Sequence, residues 1–476
     1  MEEDRSLELS PDRLRALIDA AARRIVAHVA SLPEQPSADT EGGAELARSL
    51  AEPMPETGRP AEELLDLLFE RVVPKSFNTA GPGYLAYIPG GGLPQSAVAD
   101  LVADAVNRYV GVFAAAPGLA QIETNVVRWF ADLAGYPPEA RGILTSGGSL
   151  ATFSALVAAR RDRLPEDFLS GTLYVSDQTH HAVQKAALLA GFPPDRVREI
   201  PVDDRYRIRL DALARAVAAD RAARMTPFLV VGNAGTTNTG AVDDLSALAD
   251  FCRSESLWFH VDAAYGGFFL LTNEGRRRFA GIDRSDSVVL DPHKGLFLPY
   301  GTGALLVRDG EALKRAHALS ADYMPSMQDD PDLVDFNLLS PELSRDFRGL
   351  RVWLPLSMHG TGPFRRNLEE KLALARFAAE ELRGVPGIEI LAEPQLSILA
   401  FRLRRAGLDG DALDRLNRKL LERINGKKRV YLTGTRLDGR FAIRICVLSF
   451  RTHRDRMDAC LEDIRAAVTE LAKEAP

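Results

Sequence analysis

The chain has 476 residues, 46% hydrophobic and 26% charged, with a formal net charge of −7, a composition ordinary for a globular protein with room for two or three domains. The acidic balance argues against a nucleic-acid partner, since the basic runs at 159–163, 276–278 and 427–429 are short and interleaved with acids. Cys252, Cys446 and Cys460 have neither metal-like spacing nor an even count, no run approaches a membrane span, and the acidic amino terminus lacks a secretion signal's apolar core, so no metal, disulfide frame or membrane is expected and a cytoplasmic location is.

Residues 10–32 carry Leu14, Leu17, Ile18, Ala21, Ile25 and Val29 at helical spacing behind a Ser-Pro start, which predicts an amphipathic helix. A Pro- and Gly-rich stretch follows, then a second helical run over 61–73. Neither can bury its apolar face alone, which points to an arm over 1–94 that packs on a partner subunit. The glycine- and aromatic-rich 76–94, with Tyr84, Tyr87, Ile88 and Gly90 to Gly92, reads equally as a tightly turned loop or a pocket wall.

Helices are predicted over 95–108 and 120–133. At 141–160 a short apolar entry meets Ser146, Gly147, Gly148 and Ser149, and a helix starts at once. That arrangement suits a phosphate cradle, although it has neither Walker A nor dinucleotide spacing. Three strand-like runs then end in polar groups: one on Ser176, Asp177, His180 and His181, one on Asn233, Thr236, Thr237 and Asn238, and one on Asp262 followed by Ala263, Ala264, Gly266 and Gly267. A fourth, Ser287–Leu290, delivers Asp291, Pro292, His293 and Lys294. Taken alone, Lys294 reads as a solvated lysine past a strand. Four strand ends converging on one sheet edge make it a site, because ligands of open α/β sheets bind there.

Beyond Lys294 a returning strand is expected over 304–307, and the Met-, Asp- and Pro-rich 316–339 is predicted to be a long surface loop of the kind used as a lid. Residues 355–476 alternate helices and strands, a smaller α/β domain after a large one over 95–354.

A phosphate cradle, an aspartate, a histidine and a lysine on adjacent strand ends are the parts that hold pyridoxal phosphate. The lysine amine condenses with the cofactor aldehyde, the cradle takes the phosphate, and the aspartate keeps the ring nitrogen protonated, which makes the ring an electron sink. HVDAAYGG, DPHK, SDQTHH and TSGGSLAT together resemble the pyridoxal-phosphate-dependent group II amino-acid decarboxylases. The resemblance implies fold type I, aspartate aminotransferase-like, with a mostly parallel seven-stranded sheet in the large domain, and a homodimer. It makes Lys294 the covalent anchor, Asp262 the partner of the ring nitrogen, His180 the stacking and catalytic imidazole, and Ala264 the packing beneath the ring. Gly148 and Ser149 hold the phosphate, while Thr237 and His293 line the site. Asp291, where relatives can have an asparagine on the phosphate, is expected to turn away and cap a helix or meet a cation.

Tyr87, Ile88 and Gly90, with Gly111 and Phe113 from the partner subunit, are expected around the substrate, an L-amino acid with a preference for aromatic ones. Matching the stretch after the lid places Phe336 where relatives have a proton-donating tyrosine; the alternative is loop drift, with Tyr323 or a histidine substituting. The expected activity is α-decarboxylation to an amine. The alternatives are an oxidative deaminase giving aldehyde, if Phe336 leaves the intermediate without its proton, and a non-catalytic cofactor-binding protein.

Overall fold

The computed structural model describes residues 7–319, 330 and 332–474. Its centre is a seven-stranded sheet of β1 (Arg141–Thr145), β2 (Gly171–Ser176), β3 (Val197–Ile200), β4 (Thr226–Asn233), β5 (Trp258–Ala263), β6 (Ser287–Leu290) and β7 (Gly303–Val307), in the order β1-β7-β6-β5-β4-β2-β3. All neighbouring pairs are parallel except those of β7, which runs antiparallel to both β6 and β1. A strand covered on both faces needs an unbroken apolar run, which is why Ser287–Leu290, buried throughout, shows no polar alternation. Helices supply the cover. Gly148–Arg163 buries Ala151, Ala155, Ala158 and Ala159, small residues that let it sit close to the sheet.

The second sheet is wholly antiparallel, made of β8 (Ile388–Ala392), β9 (Ile398–Leu403), β10 (Thr433–Leu437) and β11 (Arg440–Cys446) in the order β10-β11-β9-β8. Helices Thr361–Arg383, Gly410–Gly426 and Arg454–Lys473 pack against it around an apolar core of its own.

At the amino-terminal end, Ser10 caps helix Pro11–Ser31 by accepting from the Arg13 amide. This helix buries only Ala20 and leaves Leu14, Leu17, Ile18, Ile25 and Val26 exposed. The chain then crosses to the smaller sheet's side. The Leu85 amide donates to Tyr431 O at 3.0 Å and the Cys446 amide to Leu85 O at 3.0 Å, which carries Tyr87 to Gly91 toward the large sheet's edge. The predicted surface loop differs from expectation at its end: Phe336, on a single turn of 3-10 helix, Asn337 and Leu339 are buried. Its middle, Tyr323 included, lies outside the described residues.

Candidate active site

The carboxyl ends of β2, β4, β5 and β6 are neighbours in the sheet, and antiparallel β7 brings the end of β1 to the same edge through the Thr145 and Gly303 pairing. A cavity of about 290 Å³ opens there, lined by Gly147, Gly148 and Ser149 after β1, His180 after β2, Thr237 after β4, Asp262 and Ala264 at the end of β5, and Asp291, His293 and Lys294 after β6. Every expected cofactor residue thus meets in one place. Tyr265, Gly235 and Thr152 line it too, without having been singled out. Tyr265 stood inside the HVDAAYGG motif; its hydroxyl is held by Ser397, at 2.8 Å from the side-chain oxygen and 2.9 Å from the amide.

The amino end of helix Gly148–Arg163, where the cradle is expected, borders the cavity and has no side-chain cap. A Cβ on Gly148 would stand 2.9 and 3.1 Å from the two carboxylate oxygens of Asp291, so only glycine lets helix end and carboxylate share this space. Of the two outcomes expected for Asp291, capping a helix or meeting a cation, the second is found. Asp291 holds the position before the short helix Pro292–Gly295 without capping it through its side chain, and its Oδ2 meets Lys294 Nζ at 2.8 Å and His293 Nε2 at 3.7 Å. Burial alone would lower the Lys294 pKa, but the Asp291 carboxylate prevails and leaves it above the ordinary lysine value.

The two histidines are set by their backbone contacts. His180 Nδ1 accepts from the Ala182 amide at 3.2 Å, which leaves the proton of the neutral ring on Nε2; burial, against the pull of Asp262, lowers its pKa. His293 Nδ1 lies 2.6 Å from the carbonyl of Thr302, to which it donates, and burial lowers its pKa as well. Asp262 is fixed through Oδ1, which accepts from the Ala264 amide at 3.1 Å. Behind it, Asn233 donates to Ser176, Thr179 and Asp243 side chains at 3.0–3.3 Å, tying the ends of β2 and β4 together.

The residues expected around the substrate are not assembled within this chain. Ile88 is in the core and Tyr87 is exposed, its carbonyl accepting from Arg444 Nη2 at 2.7 Å. Gly90 packs flat on the backbone behind the anchor, where a Cβ would strike the His293 carbonyl. Gly111 accepts from the Asn337 amide at 3.0 Å and Phe113 donates its own to Asp335 Oδ1 at 2.7 Å, both away from the cavity. Phe336 corrects its expected role. Its ring is 1% exposed, packed in the main core with the Arg345 guanidinium 4.8 Å from its centroid, and it does not line the cavity. Arg345 in turn pairs with buried Glu123 at 2.5 Å. An aromatic ring enclosed in this way has no face left for a substrate.

The model of the pyridoxal-dependent decarboxylase conserved domain matches residues 45–404. The chain belongs to this family. Over 99% of its length the decarboxylase is 33% identical to an aromatic-L-amino-acid decarboxylase of Bacillus atrophaeus, of which it covers 98%. Its structure resembles that of Oryza sativa TDC with PLP and tryptamine, with a TM-score of 0.92 and 26% identity over 98% of this chain and 99% of that one. It also resembles Rhodiola rosea 4-hydroxyphenylacetaldehyde synthase, with a TM-score of 0.89 over 97% and 99% of the two chains, but at 24% identity this likeness concerns the fold alone.

The decarboxylase is a pyridoxal-phosphate-dependent carboxy-lyase, and the cavity fits that cofactor: an amine near a helix end too tight for a Cβ, with Asp262 and Ala264 lining the same space. When bound, pyridoxal phosphate supplies an electron sink for the pair of electrons left at the α-carbon as carbon dioxide departs. No helix among the described residues is long and apolar enough to cross a membrane.

Proposed function

We propose that this enzyme removes the α-carboxyl group of an aromatic L-amino acid, giving carbon dioxide and the amine, and that it acts as a homodimer. The observation that carries the substrate class is the 33% identity, across nearly the whole of both chains, to an aromatic-L-amino-acid decarboxylase. Lys294 anchors the cofactor through Nζ. Asp262 faces the ring nitrogen and stabilises its proton, while Gly148, Ser149 and the helix amides behind them hold the phosphate. His180, neutral and carrying its proton on Nε2, would cover the ring's other face and offer Nε2–H as a hydrogen-bond donor on the substrate side. Thr237, Ala264 and His293 complete the wall.

The dimer follows from what one chain leaves unfinished. Besides the exposed stripe of helix Pro11–Ser31, helix Pro94–Val106 exposes Val98, Leu101, Val102 and Val106, apolar faces of the kind that interfaces cover. Gly111 and Phe113 fall outside the cavity of their own chain, so a second subunit is the source of the missing substrate wall. The test is a panel of L-amino acids assayed for amine and carbon dioxide, with sedimentation of the same sample. Phenylalanine, tyrosine or tryptophan should exceed glutamate and the aliphatic amino acids by roughly a hundredfold in kcat/KM. Preference for an acidic substrate, or full activity in a monomer, would overturn the corresponding half.

A further inference from the structure

One feature of the cavity is not explained by holding a cofactor. Asp291 is 2% exposed, and while Oδ2 is taken by Lys294, its Oδ1 is buried with no hydrogen-bond partner. Both oxygens lie against Gly148, at the amino end of the 16-residue helix whose amides form the phosphate cradle. A lone carboxylate oxygen at the place built for a phosphate is a like-charge contact in a site of low dielectric. It is relieved if a proton bridges the two.

We propose that Asp291 makes the phosphate cradle proton-coupled: a phosphate monoester enters it together with a proton that is held between Asp291 Oδ1 and a phosphate oxygen. In that bridge the unpartnered oxygen becomes a donor, and the dianion gains a hydrogen bond in place of a repulsion. Beyond the helix amides, the charged and titratable groups described around the cavity are each engaged or neutral. Lys294 is already paired with Oδ2. His293 and His180, on the elements after β6 and β2, are held toward their neutral forms by burial. Asp262 at the end of β5 adds a second carboxylate to the cavity. Arg351, on helix Gly349–His359, is engaged by Asp100, Gly301 O and Thr302 Oγ1 behind His293. Tyr300 and Cys446 stay uncharged at neutral pH, the thiol pushed up to about 12 by burial.

The probe is pyridoxamine 5′-phosphate, which lacks the aldehyde and so cannot bond to Lys294. Its binding to the cofactor-free enzyme and to Asp291→Asn is measured by calorimetry between pH 7 and 9, in buffers of different ionisation enthalpy. That range lies above the second ionisation of a phosphate monoester, near ~6. Protons gained by the ring of the probe occur in both proteins and cancel in the difference, and Lys294→Arg in both backgrounds, a cation that does not titrate in this range, removes the lysine's own proton from the comparison. The wild type should take up about one proton more per site than the variant, and its affinity should fall more steeply with pH, by up to about tenfold per unit. At pH 8 the variant should bind about tenfold or more tightly, because the amide offers a donor without the charge. Asp291→Ser serves as a second uncharged variant if the asparagine form fails to fold. Equal proton uptake in wild type and variant, or equal or weaker binding by the uncharged forms, would overturn the proposal. A wild type that did not bind the probe at all would remove the cofactor site itself, and the proposal with it.

Discussion

The inner and outer halves of the active site are built by different means. The inner half is made by strand ends. Thr145, Ser176, Asn233, Asp262 and Asp291 sit at adjacent positions because sheet register places them there, and each is locked by partners in the same chain. The outer half is made of loops and of segments such as Gly111 and Phe113, which do not line the cavity. The residues expected to hold the cofactor thus meet within one chain, at strand ends, whereas Gly111 and Phe113, expected around the substrate, do not line the cavity.

Short of removing the anchor lysine itself, the largest effect expected from breaking the inner half is at Asp262. Asp262→Ala should keep measurable cofactor, since cradle and anchor remain, but lose about 10²- to 10⁴-fold in kcat, read by steady-state assay beside cofactor absorbance. Near-normal turnover would contradict the assignment to the ring nitrogen.

Phe336 tests the other side of the comparison. As a core residue it should cost about 3–5 kcal/mol of stability when changed to alanine, measured by denaturant unfolding. Phe336→Tyr should leave the ratio of amine to aldehyde unchanged, because a hydroxyl there would be buried beside Arg345 rather than delivered to the cavity. A shift of products toward amine would put Phe336 back in the active site and revive the oxidative alternative.

A smaller effect concerns pH. His260 is fully buried on Ser287 at 2.8 Å, and burial pushes its pKa down to about 4, as it does that of His317. The unfolded chain takes up these protons near pH 6.5 and the folded one near 4, so the stability contribution is whole above pH 6.5 and is lost as pH falls toward 4. For His260 the loss reaches about 3 kcal/mol. Unfolding at pH 7, 5.5 and 4.5 should show it, and His260→Gln should flatten the decline.

The division between the halves also decided what could be read in the sequence. A β-branched run flanked by polar residues has little choice but to be a buried strand with a chemical end, so Ser287–Leu290 and the approach to Asp262 were legible almost to the residue. The edge strand Val197–Ile200 was not, because its half-exposed VREI pattern is short and half polar. Asp291 was legible as an anomaly, but whether it faced the phosphate or turned away depended on the contact with Gly148, which joins residues far apart in the chain. Phe336 was misplaced because matching across an aperiodic Pro- and Asp-rich stretch says nothing about depth. Its burial comes from the main core and from Arg345, which buried Glu123, far off in the chain, holds in place.

A single lysine, Lys294, raised to the sheet edge by β6, is expected to carry the cofactor. Borohydride reduction of the loaded enzyme, followed by peptide mapping, tests it most directly. The label should fall on Lys294 alone, and Lys294→Ala should give a folded, unlabelled and inactive protein. Labelling of another lysine with turnover retained in Lys294→Ala would contradict the account.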